Sequence, residues 1–431
     1  MTAPSDSPSP KKAHKTHHES NSGAAALFNR DLLLLLISQT IFVSGSVMTV
    51  TLGGIIGARL APSAALSTLP VSLTVVGTAL GTIPATRLMQ RFGRRDGFSG
   101  AALCAAMACV IGISAVVYQQ FWLYCLSTLV TGGTLAFSQQ FRFAATETVD
   151  LSRAGTAISI ILLGSVGGAL VGPELVARSD WLWPHTRFAG ALASSGGLFV
   201  VAAVLLRLLG LTKPMTNDPR DQNHARSGRE LTAQPLFLLA ICAGMVGQGV
   251  MTFVMTATPV SMHIMDGHSM PDTASVIRAH VLAMYLPSLV SGALISRLGE
   301  RRLMLGGVAI FLITLSVGLL GHELVHYTGA LILLGIGWNF LFVGGTALLV
   351  KTYHPSERFR AQGLNDAAVF GTSALASLMA GAVLSQIGWQ AVLWSTLLPV
   401  LLLGALALFL ANHPLPSESS KSSQINDQQR N

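Results

Sequence analysis

Apolar runs of roughly twenty residues, separated by short polar or basic stretches, recur along nearly the whole chain. A helix of about 20 apolar residues crosses the hydrocarbon core of a bilayer. Twelve such runs are read at 31–57, 67–88, 97–117, 121–147, 155–177, 187–210, 233–261, 277–296, 302–321, 327–350, 362–386 and 388–411. The pattern predicts an all-α membrane protein with 12 transmembrane helices. Residues 1–30, rich in Ser, Pro, Lys and His, cannot bury a core and are expected to form a disordered tail and not a cleaved signal. The polar segment 412–431 is expected to be a second such tail, and the polar, basic stretch 211–232 a linker between 31–210 and 233–411.

An internal repeat sharpens this division. The second loop between spans carries Arg91-Phe92-Gly93-Arg94-Arg95, and the loop between the eighth and ninth spans carries Arg297-Leu298-Gly299-Glu300-Arg301, with Gly93 and Gly299 offset by 206. Ser152-Arg153-Ala154 and Phe359-Arg360-Ala361 align at 207, as do Gly164 and Gly371. A constant offset near half the chain implies two six-helix halves. The basic, Gly-containing turn resembles the loop motif of the major facilitator superfamily, G-x-L-x-D-R-x-G-R-R. Gln90 and Ser296 stand where that family has Asp, and Thr86 where it has the first Gly, which weakens the motif's charge-relay role. The resemblance implies the major facilitator superfamily fold.

Composition excludes most alternatives. The chain has 431 residues, 51% hydrophobic and 11% charged, with a mean hydropathy of +0.57, outside the range of soluble globular proteins. Its net charge of +8 is scattered over short loops, so nucleic acid is not an expected partner and the lipid bilayer is. With the N-terminus inside, 22 of the 27 Lys and Arg fall on the cytoplasmic side. Four fall outside, at Arg59, Arg178, Arg187 and Arg278, and Arg142 lies within the fourth span. That bias predicts cytoplasmic N- and C-termini. Cys104, Cys109, Cys125 and Cys242 lie in apolar stretches and form no disulfide framework or zinc pattern. No GxxxxGK[ST] phosphate loop is present, so transport without ATP hydrolysis, and no enzyme, is expected.

The seventh and eighth spans concentrate soft donors. Six of the 14 Met lie between residues 251 and 284, together with His263, His268 and His280. Met251-x-x-x-Met255 and His280-x-x-x-Met284 each place two donors on one helix face. If the two spans form an antiparallel hairpin, Met251 matches Met284 in depth and Met255 matches His280. Three thioethers and an imidazole suit copper and disfavour Mg, Ca or Mn. Met also fills gaps between helices, and that packing reading stands beside the metal one.

These pairs, with Met251–Pro259 as MTFVMTATP, His280–Ser288 as HVLAMYLPS, Gln140–Ala145 as QFRFAA and Arg360–Ala367 as RAQGLNDA, resemble the CcoA-like copper importers, a branch of the major facilitator superfamily. The resemblance implies Met251, Met255, His280 and Met284 as ligands of copper in transit, with no resident cofactor. It also implies a bacterial inner membrane location, a cytoplasmic copper acceptor and supply of copper for cytochrome oxidase assembly. A sister group with nearly the same scaffold carries riboflavin, so uptake of riboflavin or another small organic nutrient is the alternative.

Other residues fit transport without naming a cargo. His263, Met265, His268 and Met270 are candidates for collecting copper outside, and His14, His17 and His18 for receiving it inside; a solvated loop and a basic tail are the plainer readings. Arg142 is costly within a span and needs a partner or a water-filled cavity, with Glu147 or the Gln139/Gln140 pair as candidates for a structural or gating network. Gly164, Gly168 and Gly172, before Pro173 and Glu174, allow close helix packing. They also resemble the antiporter motif of drug-efflux members, with Val176 and Ala177 in place of its closing glycines. By that third reading, proton-coupled efflux, Glu174 carries the coupling proton.

Overall fold

The backbone turns at the same glycine in each repeat. Gly93 has φ 86° and ψ 168°, and Gly299 has φ 83° and ψ 163°. Both lie where an L side chain is strained, so glycine is required there. The computed structural model describes residues 29–63, 66, 69–178, 188–211 and 226–410. The tails 1–28 and 411–431, the linker residues 212–225 and the start of the sixth span at 187 lie outside them, as do His14, His17 and His18.

The N-terminal half contains α1 (Arg30–Leu60), α2 (Leu69–Val117), α3 (Phe121–Ser138), the short α4 (Phe141–Thr146), α5 (Ala154–Arg178) and α6 (Ala189–Arg207). After the linker helix α7 (Gly228–Thr232) come α8 (Pro235–Val260), α9 (Met270–Tyr285), α10 (Ser288–Leu298), α11 (Glu300–Leu319), α12 (Leu324–Val350), α13 (Arg358–Ile387) and α14 (Trp389–Phe409). Among the described residues, 11 helical runs are long and apolar enough to cross a membrane. The 49-residue run of α2 is broken at Gly93 and makes two crossings, giving the twelve expected.

Two spans predicted as single helices are interrupted. The fourth bends at Gln139 and Gln140 between α3 and α4. The eighth breaks at Pro287 between α9 and α10, because proline lacks the N–H that would continue the ladder. The Asn339 amide mends this break, donating to the Met284 carbonyl and the Ser288 hydroxyl, each at 2.7 Å. Polar backbone exposed inside a membrane requires such partners.

Each half has its own core, and a few side chains cross over. Phe143, Ile158 and Leu162 of the N-terminal half belong to the core of the C-terminal half, and Phe359 belongs to that of the N-terminal half. In the C-terminal half, α12 is central and packs against α8, α9 and α11. In the N-terminal half α1 lies along α5. A Cβ on Gly164 would stand 2.8 Å from the Leu36 carbonyl, and one on Gly168 2.6 Å from Val43. Helix packing therefore accounts for the glycine stripe of α5, the plainer of its two readings.

The repeat extends to ion pairs, with the charges exchanged. Arg94, next to Gly93, pairs with Glu147 at 2.7 Å; Glu300, next to Gly299, pairs with Lys351 at 2.6 Å. The end of the linker is tied down as well. Arg226 meets Glu357 through Nε at 2.8 Å and Nη2 at 2.6 Å, and this hydrogen bonding raises the Arg226 pKa.

Candidate functional site

The contacts between the halves cluster toward the end of the bundle that carries the basic loops. A Cβ on Gly292 of α10 would meet Thr156 of α5 at 2.7 Å, and one on Gly363 of α13 would meet Thr86 of α2 at 2.7 Å. Between these contacts lies a buried polar network. Arg94 donates to Glu147, to Gln140 at 3.1 Å and across the junction to Gln362 at 2.6 Å. Glu147 also faces Arg358 of α13 at 3.4 Å. One carboxylate of the N-terminal half therefore holds an arginine from each half. Gln90 and Ser296 supply no anion there, and Glu147 does.

Deeper in the bundle, Arg142 pairs with Asp366 of α13, which also accepts from Gln140 and, at 2.9 Å, from Asn365. Neither Glu147 nor Gln139 and Gln140 is the direct partner of Arg142. Its guanidinium lies 4.2 Å from the Phe342 ring centre and 4.8 Å from that of Phe143, while its Nε and Nη1 are buried without hydrogen bonds. A cation with two bare donors depends on its one anion and on the ring faces.

Above this pair is an aromatic ledge at mid-depth, with Trp338 and Phe342 buried in the core of the C-terminal half and Tyr285 half-buried at its edge. Trp338 stacks on Phe342 with centroids 4.7 Å apart at 19°, and Tyr285 meets Trp338 edge-on at 5.8 Å. The Trp338 indole donates to Gln248 of α8 at 2.8 Å. Thr252, one turn along from Gln248, shares a 2.8 Å hydrogen bond with Ser373 of α13. Across the junction Ser165 of α5 accepts from Gln39 of α1 at 3.0 Å.

The predicted donors do not form a hairpin face. Among the described residues, α8 and α9 each pack on α12 and not flush against each other. Met251 and Met284 are buried in the core of the C-terminal half, and Met255 packs against it. His280 directs Nδ1 to the Leu331 carbonyl of α12 at 2.8 Å, leaving Nε2 buried without a partner. Matched depth brings the pairs together only on adjacent helices, and α12 packs against both α8 and α9 instead.

The remaining candidates lie near the opposite end. Glu174 is exposed and pairs with Arg178 at 3.0 Å, so it sits outside the buried network. His263 is bonded to the His268 carbonyl at 2.7 Å, His268 to that of His322 at 2.8 Å, and Met265 is exposed. His322-Glu323-Leu324-Val325-His326 spells HExxH, a zinc-peptidase spacing that the expectation of a non-enzyme passed over. The structure divides it. His322 precedes the helix and turns Nδ1 to Asp266 at 2.9 Å, Glu323 is the N-cap of α12, and only His326 lies in the first turn. Among the described residues, no three His, Cys, Asp or Glu converge as a metal-holding group.

The buried network was missed from sequence on its C-terminal side. Asp366, Asn365 and Gln362 stood within RAQGLNDA, quoted only for its likeness. The available signal was Asp366 itself, an acid within an apolar span.

The sequence profile of the Major Facilitator Superfamily matches residues 32–271 and 260–428. The chain belongs to the major facilitator superfamily. Among its superfamily relatives, the riboflavin transporter RfnT of Brucella anthropi is 37% identical over 390 residues, covering 90% of this chain and 98% of the relative. The uncharacterized transporter YdeG of Bacillus subtilis is 29% identical over 399 residues, covering 86% and 93%. Solved superfamily structures share the fold. A bacterial homologue of the iron transporter ferroportin superposes with TM-score 0.67 at 16% identity, over 90% of this chain and 100% of the other. The E. coli fucose:proton symporter FucP gives 0.67 at 13% identity, over 89% and 98%. A superfamily transporter moves its cargo between two helical halves, and the polar network and aromatic ledge lie at that junction.

Proposed function

We propose that this chain imports riboflavin, or a closely similar flat heteroaromatic nutrient, across a bacterial inner membrane by alternating access. The observation that carries the reading is the half-buried Tyr285 ring and Gln248 amide at the junction of the halves, both held by the buried Trp338. A planar ring system with polar edges gains stacking and hydrogen bonds at such a place. The likeness to RfnT over nearly that protein's whole length supports the same cargo class. The basic loops support a cytoplasmic side for the joined end and both tails. The arrangement is then outward-facing, ready to receive substrate from outside. The residues proposed to meet the cargo are Tyr285 and Gln248, backed by Trp338, with Arg142 and Asp366 beneath.

A second reading, copper import, keeps one specific observation: the partnerless Nε2 of His280, one helical turn from Met284. In that reading Met251, Met255, His280 and Met284 take copper as cargo and a cytoplasmic acceptor receives it.

Uptake of labelled riboflavin and of radioactive copper, measured in cells lacking their own importers, separates the two. Riboflavin uptake is expected, with Tyr285→Ala raising the half-saturating concentration about tenfold through lost stacking and His280→Ala leaving it unchanged. Copper uptake lost in His280→Ala, with no riboflavin uptake, would reverse the order of the readings.

A further inference from the structure

A groove of about 590 Å³ runs along the outside of the N-terminal half, between the two crossings of α2 and α3. Leu88 and Phe92 form one wall, Gly100 and Cys104 the floor, and Gly133 and Phe137 the other wall. Glycines on a membrane helix usually admit a neighbouring helix, as on α5. Here they do not. A Cβ on Gly100 would meet nothing within 4 Å, and one on Gly133 only the Gly77 carbonyl at 3.9 Å. These residues leave an unfilled apolar channel on a face turned toward lipid.

Charge marks one end of the channel. Asp96, which also lines it, is bonded by Arg95 at 3.2 Å and by Arg207. Arg91 lies over the ring of Phe92 at 5.3 Å. Two guanidinium groups thus share one carboxylate with a third beside them on Phe92, and the excess is positive at the level where the chain leaves the hydrocarbon. An apolar channel ending in surplus arginines matches an acyl chain ending in a phosphate. We propose that this groove binds an anionic phospholipid, its acyl chain lying over Gly100 and Gly133 and its phosphate on Arg91 and Arg95. The excess of arginine favours an anionic head group over a zwitterionic one. The site lies away from the junction of the halves, so the inference holds whatever the cargo.

Native mass spectrometry of the purified full-length protein, equilibrated with phosphatidylglycerol and phosphatidylcholine at equal concentration, tests this. Retention of phosphatidylglycerol is expected to exceed that of phosphatidylcholine by about fivefold for each engaged arginine. Arg91→Gln/Arg95→Gln should bring the ratio close to one. Gly100→Leu/Gly133→Leu, whose new side chains enter open space, should lose retained lipid of either kind. If the filled variant misfolds, the exposed arginine variant still decides. Equal retention by the unaltered protein, or a preference that survives Arg91→Gln/Arg95→Gln, overturns the proposal. So does stronger retention of phosphatidylethanolamine that depends on Asp96, which would make the carboxylate the recognising group.

Discussion

Arg142 and Asp366 are 3% and 1% exposed, so each is held in place by the other. Removing one partner strands a buried charge, which costs more than the pair contributes. Asp366→Asn is therefore expected to destabilise the protein by about 3 kcal/mol or more, read as a lower midpoint of thermal unfolding in detergent. Arg142→Gln/Asp366→Asn, which removes both charges, should be more stable than Asp366→Asn alone. Additive losses in the double variant would show that the two residues act independently. The cost of Arg142 was legible in the sequence, since a cation in an apolar span demands an anion. Its partner was not, because Asp366 lies 224 positions away and only the docking of α13 on the N-terminal half brings them together. Glu147 was legible as a member of a network, but its ligands Arg94 and Arg358 were not, for the same reason. His280 shows the converse. Its spacing to Met284 is real, yet the helix facing its ring is α12, which supplies the Leu331 carbonyl.

Helix packing turns on what each glycine meets, and the repeat offers an internal comparison. Gly164 on α5 and Gly371 on α13 occupy equivalent positions, but a Cβ on Gly164 would lie 2.8 Å from backbone oxygen of Leu36 while one on Gly371 meets nothing within 4 Å. Gly164→Ala must push α5 off α1 and is expected to cost about 1–3 kcal/mol. Gly371→Ala should be neutral or stabilise by up to about 1 kcal/mol, since alanine is the better helix former. Comparing the two unfolding midpoints checks this, and equal losses would mean that the glycines serve flexibility instead of contact. The twelve spans and the repeat were visible at this scale because apolar length and a constant offset need no tertiary information. The breaks at Gln139 and Pro287 were less visible, because an interrupted span keeps its apolar composition. The α8–α9 hairpin failed because neighbours in sequence need not be neighbours in a bundle.

At the scale of the whole molecule, two rigid halves exchange access by breaking contacts at one end and making them at the other. The contacts to be broken here converge on Glu147, which faces Arg94 of its own half at 2.7 Å and Arg358 of the opposite half at 3.4 Å. With the carboxylate present, two arginines on opposite halves are drawn to one anion. With Glu147→Gln they face each other across a largely buried junction without it, and attraction becomes repulsion. The variant should therefore favour the state in which the basic end is open, by about tenfold, equivalent to 1.4 kcal/mol. Spin labels at Ser152 and Ser296, exposed on opposite halves at that end, report the change in a cysteine-free background. Double electron–electron resonance is expected to show a longer distance population in Glu147→Gln and much less of it in Glu147→Asp, which keeps the charge. An unchanged distribution in Glu147→Gln would mean that the closed end is held by the apolar and backbone contacts around Gly292 and Gly363, with the ion network following the motion instead of setting it.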